Sequence, residues 1–328
     1  MFFLTFLVFH ASFLFSAPSQ FDYQKALKSF QNHIESKQKE IREKSGGFRD
    51  PSLPFALTHG HPTRCCVILF HGLSDSPYFM RDIAGSLYRQ GYNVVVPLLS
   101  GNGTDLMDLE TVTMEDWRKD ADLSLQVASG LGDQVLAGGL SAGSAIALDM
   151  AKRHPGGVKG LLFFSPALSF QKRYAFISCW FPREFVAGKP REVPVRYSKI
   201  SNNSVCQLYH LVKQLDLSPG RSEYSIPIFA VLTEYDDAIK VQWTIDWIEG
   251  QRSSDYRILA YIFSNGKSRL KFQDPNKASL IPTSEIRHAQ VTRKTNEYND
   301  ERNVKFDEMA LALKSFMINE FPLGLKSH

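Results

Sequence analysis

From Thr63 onward, short apolar runs alternate with longer amphipathic stretches, and this rhythm constrains the fold more than any other feature of the chain. Cys66 to Phe70 is followed by Ser76 to Arg89, Asn93 to Pro97 by Glu115 to Gly130, and Gln134 to Ala137 by Ala142 to Arg153, before a further run from Val158 to Phe164. The apolar runs suit strands buried on both faces, and the stretches between them carry helical periodicity. Parallel strands need crossovers, and the crossover helices then cover the sheet, so the alternation predicts an α/β fold with a mostly parallel sheet flanked by helices. Between Pro166 and Ile226 the rhythm stops. Prolines, two cysteines and many aromatic residues surround one good helical stretch there, Val205 to Leu215. It resumes with a strand at Ile228 to Thr233, a helix near Val241 to Gln251, a strand at Arg257 to Phe263, a polar stretch from Asn265 to Thr283, and a terminal helix at Val304 to Asn319. One α/β core over 63–168 and 226–328, carrying a cap over 169–225, accounts for this pattern most simply.

The first residues follow different rules. Met1 to Ser16 is almost entirely Phe, Leu, Val and Ala, and Ala17-Pro18-Ser19 offers a small-x-small site for cleavage before Gln20. Residues 1–19 therefore read as a signal peptide of an exported protein, periplasmic or secreted. The run is short of the ~20 apolar residues of a spanning helix, and an uncleaved N-terminal anchor is the alternative. Residues 20–62 read as a peripheral helix, Phe21 to Lys44, with a narrow apolar stripe, then a loop marked by Ser45-Gly46-Gly47, Pro51 and Pro54.

Charge and cysteine content exclude several functions. The net charge is +4 and the Lys and Arg are scattered among acids, so no nucleic-acid footprint is present. Cys65, Cys66, Cys179 and Cys206 fit no metal-ligand spacing, and neither a metal nor another cofactor is implied. Cys179 and Cys206 both fall in the expected cap, where export would let them pair. Free thiols in apolar surroundings account for them equally well.

The strongest local signal is Gly139-Leu140-Ser141-Ala142-Gly143, placed directly after a strand and directly before an Ala-rich helix. That context predicts a sharp elbow presenting Ser141 as a nucleophile, with Gly139 and Gly143 needed where side chains would strike neighbouring backbone. An elbow serine needs a base, and the base needs an orienting acid, which on such sheets follow the serine in that order of acid, then histidine. Asp236 lies just past the strand Ile228 to Thr233, with Ala238-Ile239 returning the chain to the core; Asp237 and Glu234 are the competing carboxylates. Only His288 and the terminal His328 follow the acid, and an imidazole at a chain end is poorly placed, which leaves His288 as the base. Upstream, His71-Gly72-Leu73 follows a strand. The backbone amides of Leu73 and Ala142 are the candidate oxyanion donors, and His71, which precedes the serine, is expected to hold the loop by hydrogen bonds.

Together with Pro97, Gly101-Asn102-Gly103-Thr104 and Met114-Glu115-Asp116-Trp117, these segments resemble the monoacylglycerol lipase and carboxylesterase branch of the α/β-hydrolases, over roughly Arg64 to Met317. The resemblance implies an α/β-hydrolase fold with a cap inserted between strands 6 and 7, here Phe170 to Leu217, that shapes an acyl pocket. It further implies a cofactor-free serine hydrolase acting on ester or acylglycerol substrates through an acyl-enzyme. Two departures mark this chain: Asn102 stands where many relatives have His, and Thr233 where Gly is usual. The polar stretch from Asn265 to Thr283 looks like an insertion. An aminopeptidase or amidase on the same fold is the enzymatic alternative, although Lys and Arg outnumber acids in Phe170 to Leu217 and no acidic cluster awaits a substrate amine. From another class, the alternative is a non-catalytic binding module on a hydrolase scaffold. The aromatic residues around Trp180-Phe181 either pack within the cap or contact a membrane surface.

Overall fold

The computed structural model describes residues 17–45, 52–171, 174–181, 185–186, 195–220, 223–251, 255–283, 286–294 and 302–323. The apolar run Met1 to Ser16, on which the signal peptide expectation rests, and His328 lie outside them.

Eight strands form one sheet: β1 (Phe55–Leu57), β2 (Thr63–Phe70), β3 (Asn93–Val96), β4 (Gly132–Leu140), β5 (Gly160–Phe164), β8 (Ile228–Thr233), β9 (Tyr256–Phe263) and β10 (Ala278–Thr283), in the spatial order β1-β3-β2-β4-β5-β8-β9-β10. Among the described strands of this sheet only β1 runs antiparallel to its neighbour, and the other pairings within it are parallel. Successive side chains of a strand point to opposite faces, and β2 divides accordingly: Cys66, Ile68 and Phe70 enter one apolar core while Cys65, Val67 and Leu69 enter the other. The helices α2 (Arg81–Arg89) and α8 (Phe306–Glu320) close the second core, and α3 (Met114–Leu131), α4 (Ala142–Arg153) and α7 (Val241–Glu249) close the first. The start of α3 is set by a capping box, in which Thr113 and Asp116 satisfy each other's backbone amides. Outside α3 lies α1 (Gln20–Ser45), which buries Tyr23, Phe30 and Ile41 and leaves its other faces in water.

Between β5 and β8 the chain forms α5 (Tyr174–Ile177), a short antiparallel pair made of β6 (Phe185–Val186) and β7 (Ile200–Ser201), and α6 (Asn202–Leu215). The hydroxyl of Ser201 caps α6 by accepting from the Asn203 amide, and α6 packs against α4. Cys179 and Cys206 are joined by a disulfide that ties the end of α5 to α6; Cys65 and Cys66 are buried thiols.

Two features differ from expectation. The loop after α1 contributes β1, too short to show a pattern. The polar stretch before His288 ends in β10, an edge strand bonded to β9 among the described residues, whose sequence Ala-Ser-Leu-Ile-Pro-Thr has half its residues exposed and one buried and so lacks an apolar signature. The inserted segment leaves the large sheet after β5 and rejoins it at β8.

Candidate active site

Ser141 is the residue between β4 and α4, and its backbone is forced: φ is +53° and ψ −112°, a region costly for any residue with a side chain. The surrounding hydrogen bonds impose this geometry. The Ser141 amide donates to the Phe164 carbonyl (2.9 Å), while its carbonyl accepts from Ser144 (3.1 Å) and Ala167 (3.1 Å) amides. Gly139 and Gly143 face the Phe70 carbonyl oxygen so closely that a Cβ on either would collide with it. The elbow thus packs directly against the end of β2.

The imidazole arrives from beyond β10, the strand at the far edge of the sheet. His288 opens a short turn after β10, and its Nε2 lies 2.8 Å from Ser141 Oγ. Its Nδ1 lies 2.7 Å from Asp236 Oδ2. The Asp236 side chain is wholly buried, and its other oxygen accepts from the amides of Ala238 (2.9 Å) and Ile239 (3.1 Å), which fixes the carboxylate plane. The neighbouring Asp237 is exposed, and Ile239 is buried. Glu234 turns the opposite way and accepts from Ser268 Oγ and from the amides of Phe263, Arg269 and Leu270. The carboxylate in contact with the imidazole is therefore Asp236. Burial alone disfavours protonated His288; the Asp236 charge and hydrogen bond outweigh it, with Asp75 and Asp237 adding to the effect, so the His288 pKa is raised.

Phe70 and Gly139 are register partners on β2 and β4, and Leu73 and Ala142 each lie three residues beyond them. Ala142 is the first residue of α4, where amides have no partner within the helix. Leu73 sits in the turn after β2, packed against the first core. Buried His71 accepts the Leu99 amide at Nε2 (3.1 Å) and pairs through Nδ1 with the Gly72 carbonyl (2.9 Å). Desolvation pushes its pKa down to about 4, so it remains a neutral brace for the turn.

Residues 61–209 match the family model described as serine aminopeptidase, S33. A thermostable monoacylglycerol lipase of Bacillus sp. (strain H-257) is 33% identical over 89 residues, 27% of this chain and 36% of that protein, so the match spans about a third of the relative. Among solved structures, one from the metagenome-derived lipolytic enzymes LipS and LipT superposes with a TM-score of 0.61 at 17% identity, covering 81% of this chain and 97% of that one. The chain has the α/β-hydrolase fold. The same fold is shared with a soluble variant of monoglyceride lipase from Saccharomyces cerevisiae (TM-score 0.59, 13% identity, 82% and 91% covered) and with the monoacylglycerol lipase of Paleococcus ferrophilus (TM-score 0.56, 14% identity, 81% and 99% covered).

In this chain the two departures noted in the sequence take up defined places. Asn102 Nδ2 donates to the carbonyls of Leu73 (2.8 Å) and Asp75 (3.0 Å), bracing the turn that carries Leu73. Thr233 Oγ1 donates to the carbonyl of Ile286, two residues before His288, and Tyr235 donates from its hydroxyl to the Thr283 carbonyl (3.2 Å). Sequence reasoning noted both positions but assigned neither a partner, because the partners lie far away in the chain.

Proposed function

We propose that the protein is a serine hydrolase that cleaves carboxylic esters, with Ser141 as nucleophile, His288 as general base and Asp236 as the orienting acid. The observation that carries this reading is the unbroken hydrogen-bond chain Ser141–His288–Asp236 at the carboxyl edge of the sheet. Ser141 Oγ attacks the ester carbonyl carbon and passes its proton to His288 Nε2. The amides of Leu73 and Ala142 receive the negative charge on the carbonyl oxygen. Collapse breaks the ester bond, His288 returns the proton to the leaving alcohol, and a water activated by the same imidazole then releases the acid from the acyl-enzyme. Asp236 keeps Nδ1 protonated, so that Nε2 faces the serine as an acceptor.

The substrate class we infer is an acylglycerol or a related neutral ester, by likeness to relatives named as monoacylglycerol lipases. The segment between β5 and β8 serves as the cap that shapes the acyl pocket. Lys and Arg outnumber acids in it, which suits a neutral or anionic acyl group better than a substrate amine, although the matching family model is described as an aminopeptidase. Phe176, Ile177, Trp180 and Phe181 leave an exposed apolar patch on this segment, through which the enzyme touches lipid surfaces. No helix among the described residues is long and apolar enough to cross a membrane. Export through residues 1–19 agrees with the Cys179–Cys206 disulfide, since oxidising compartments favour such bonds.

Hydrolysis of p-nitrophenyl esters of increasing chain length, by the protein from Gln20 onward and by Ser141→Ala, tests the assignment. Activity that falls by on the order of 10⁴-fold or more in the variant supports it. Equal, negligible rates in both would sink the esterase reading.

A further inference from the structure

The turn that carries Leu73 is held from two sides. Asn102 grips it from one side, and three successive residues from the segment between β5 and β8 dock on the other. Ser76 Oγ donates to the Val195 carbonyl (2.8 Å), Arg196 Nε donates to Asp75 Oδ1 (2.6 Å), and the Tyr197 amide donates to the Ser74 carbonyl (2.9 Å). The Tyr197 hydroxyl then lies within hydrogen-bonding distance of the Gly101 carbonyl (3.2 Å), the Asp105 carbonyl (3.1 Å) and the Thr104 amide (3.1 Å), joining the clamp to the loop bearing Asn102. The Arg196 guanidinium also covers the Phe79 ring at 4.1 Å.

Asp75 is the unexpected member of this arrangement. Its side chain is buried, and its carboxylate folds back over the α carbon of Gly72, immediately before Leu73. A buried negative charge beside an oxyanion donor opposes the charge that has to form there, and in a low-dielectric site that opposition is strong unless a cation cancels it. The guanidinium in contact with it is that of Arg196.

We propose that Arg196 is a positioning residue for the oxyanion site: through its ion pair with Asp75 it neutralises the carboxylate beside the developing oxyanion and tethers the turn carrying Leu73. The proposal rests on the reading of Ser141 as nucleophile and Leu73 as oxyanion donor. It makes the inserted segment part of the machinery that stabilises the transition state, in addition to shaping the acyl pocket.

Opposite charges give the test its leverage. Around His288 the negative groups are Asp236, Asp75 and Asp237, so cancelling or exposing the Asp75 charge shifts the histidine in a direction set by sign. Steady-state hydrolysis of a p-nitrophenyl ester is followed against pH for the wild type, S141A, R196Q, R196K, D75N and D75N/R196Q, with thermal melting as the check of folding. R196Q is expected to lower kcat about tenfold with KM within about twofold, because the lost interaction acts in the transition state. The acid limb of its kcat/KM profile moves to higher pH. R196K retains most of the wild-type kcat, D75N moves the limb to lower pH, and D75N/R196Q recovers kcat above R196Q. A mere clamp predicts shifts of the same sign in D75N and R196Q and no recovery in the double variant, and that outcome overturns the proposal. D75N needs no loss of Arg196, so a limb that stays in place in D75N overturns it even where R196Q fails to fold. If S141A is as active as wild type, the underlying reading fails; if S141A is inactive while R196Q matches wild type, only this inference fails.

Discussion

At the scale of single residues, the site depends on hydrogen bonds that reach across the chain. The Thr233 hydroxyl holds the carbonyl of Ile286 just ahead of His288. Thr233→Val keeps the branched shape and removes the donor. The expected result is a kcat about three- to tenfold lower with an unchanged KM, and Thr233→Ser near wild type, since one such bond is worth about 1 kcal/mol. A kcat equal to wild type in the valine variant would show that β10 and Tyr235 place His288 unaided. His71 gives a second prediction with a definite sign. Its folded pKa is lowered to about 4 against an ordinary value of 6.5, so between these the unfolded chain takes up a proton that the fold excludes. Stability therefore falls as pH drops through this window, by on the order of 3 kcal/mol from this residue. Urea midpoints at pH 7 and 4.5 measure the fall, which shrinks in His71→Asn. Ser141, Asp236 and His288 were legible in the sequence because the elbow has a local pattern and the other two follow in a required order. Asn102, Thr233 and Arg196 were not, because what matters about them is a contact with a residue 27 or more positions away: Asn102 with Leu73 and Asp75, Thr233 with Ile286, and Arg196 with Asp75.

At the scale of elements, legibility followed burial. β2, β4, β5 and β8 are buried along almost their whole length, and their apolar runs mark them. β10 has one partner and an exposed face, so nothing in its composition separates it from a loop. The inserted segment is held by a covalent link as well as by packing. The disulfide closes a separation of 27 residues between Cys179 and Cys206. Chain entropy puts its contribution at about 3 to 4 kcal/mol, an upper value when the reduced chain keeps structure. Cys179→Ser/Cys206→Ser is expected to melt several degrees lower and to lose activity on long-chain esters before short ones; an unchanged melting temperature would show that α6 holds without it. The exposed ring of Trp180 and its neighbour Phe181 belong to the same element pair. Trp180→Ala/Phe181→Ala is expected to weaken cosedimentation with phosphatidylcholine vesicles severalfold while leaving hydrolysis of soluble short-chain esters intact, and equal binding by both proteins would remove the lipid contact from the account.

At the scale of the whole molecule, one sheet sits between two apolar cores, and the alternation that opens the sequence is the trace of that sandwich: every strand of the pattern feeds one side chain in two to each core. The fold class was readable for this reason, while the path of the chain between β5 and β8 was not, since neither its strands nor its turns repeat any period. That path carries a consequence for how the protein can be altered. β5 and β8 are parallel neighbours, so the chain leaves at one edge of the sheet and must come back at the other. Leu208, Leu211, Leu215 and Tyr224 join the main core on the way, which makes α6 and the residues after it the return route of the inserted segment. Rebuilding for a different acyl group is confined to the portion ahead of Val195, since Val195, Arg196 and Tyr197 hold the turn that carries Leu73. The portion from α6 to β8 is wiring, and a graft that replaced it would have to supply another helix of the same span before the sheet could close.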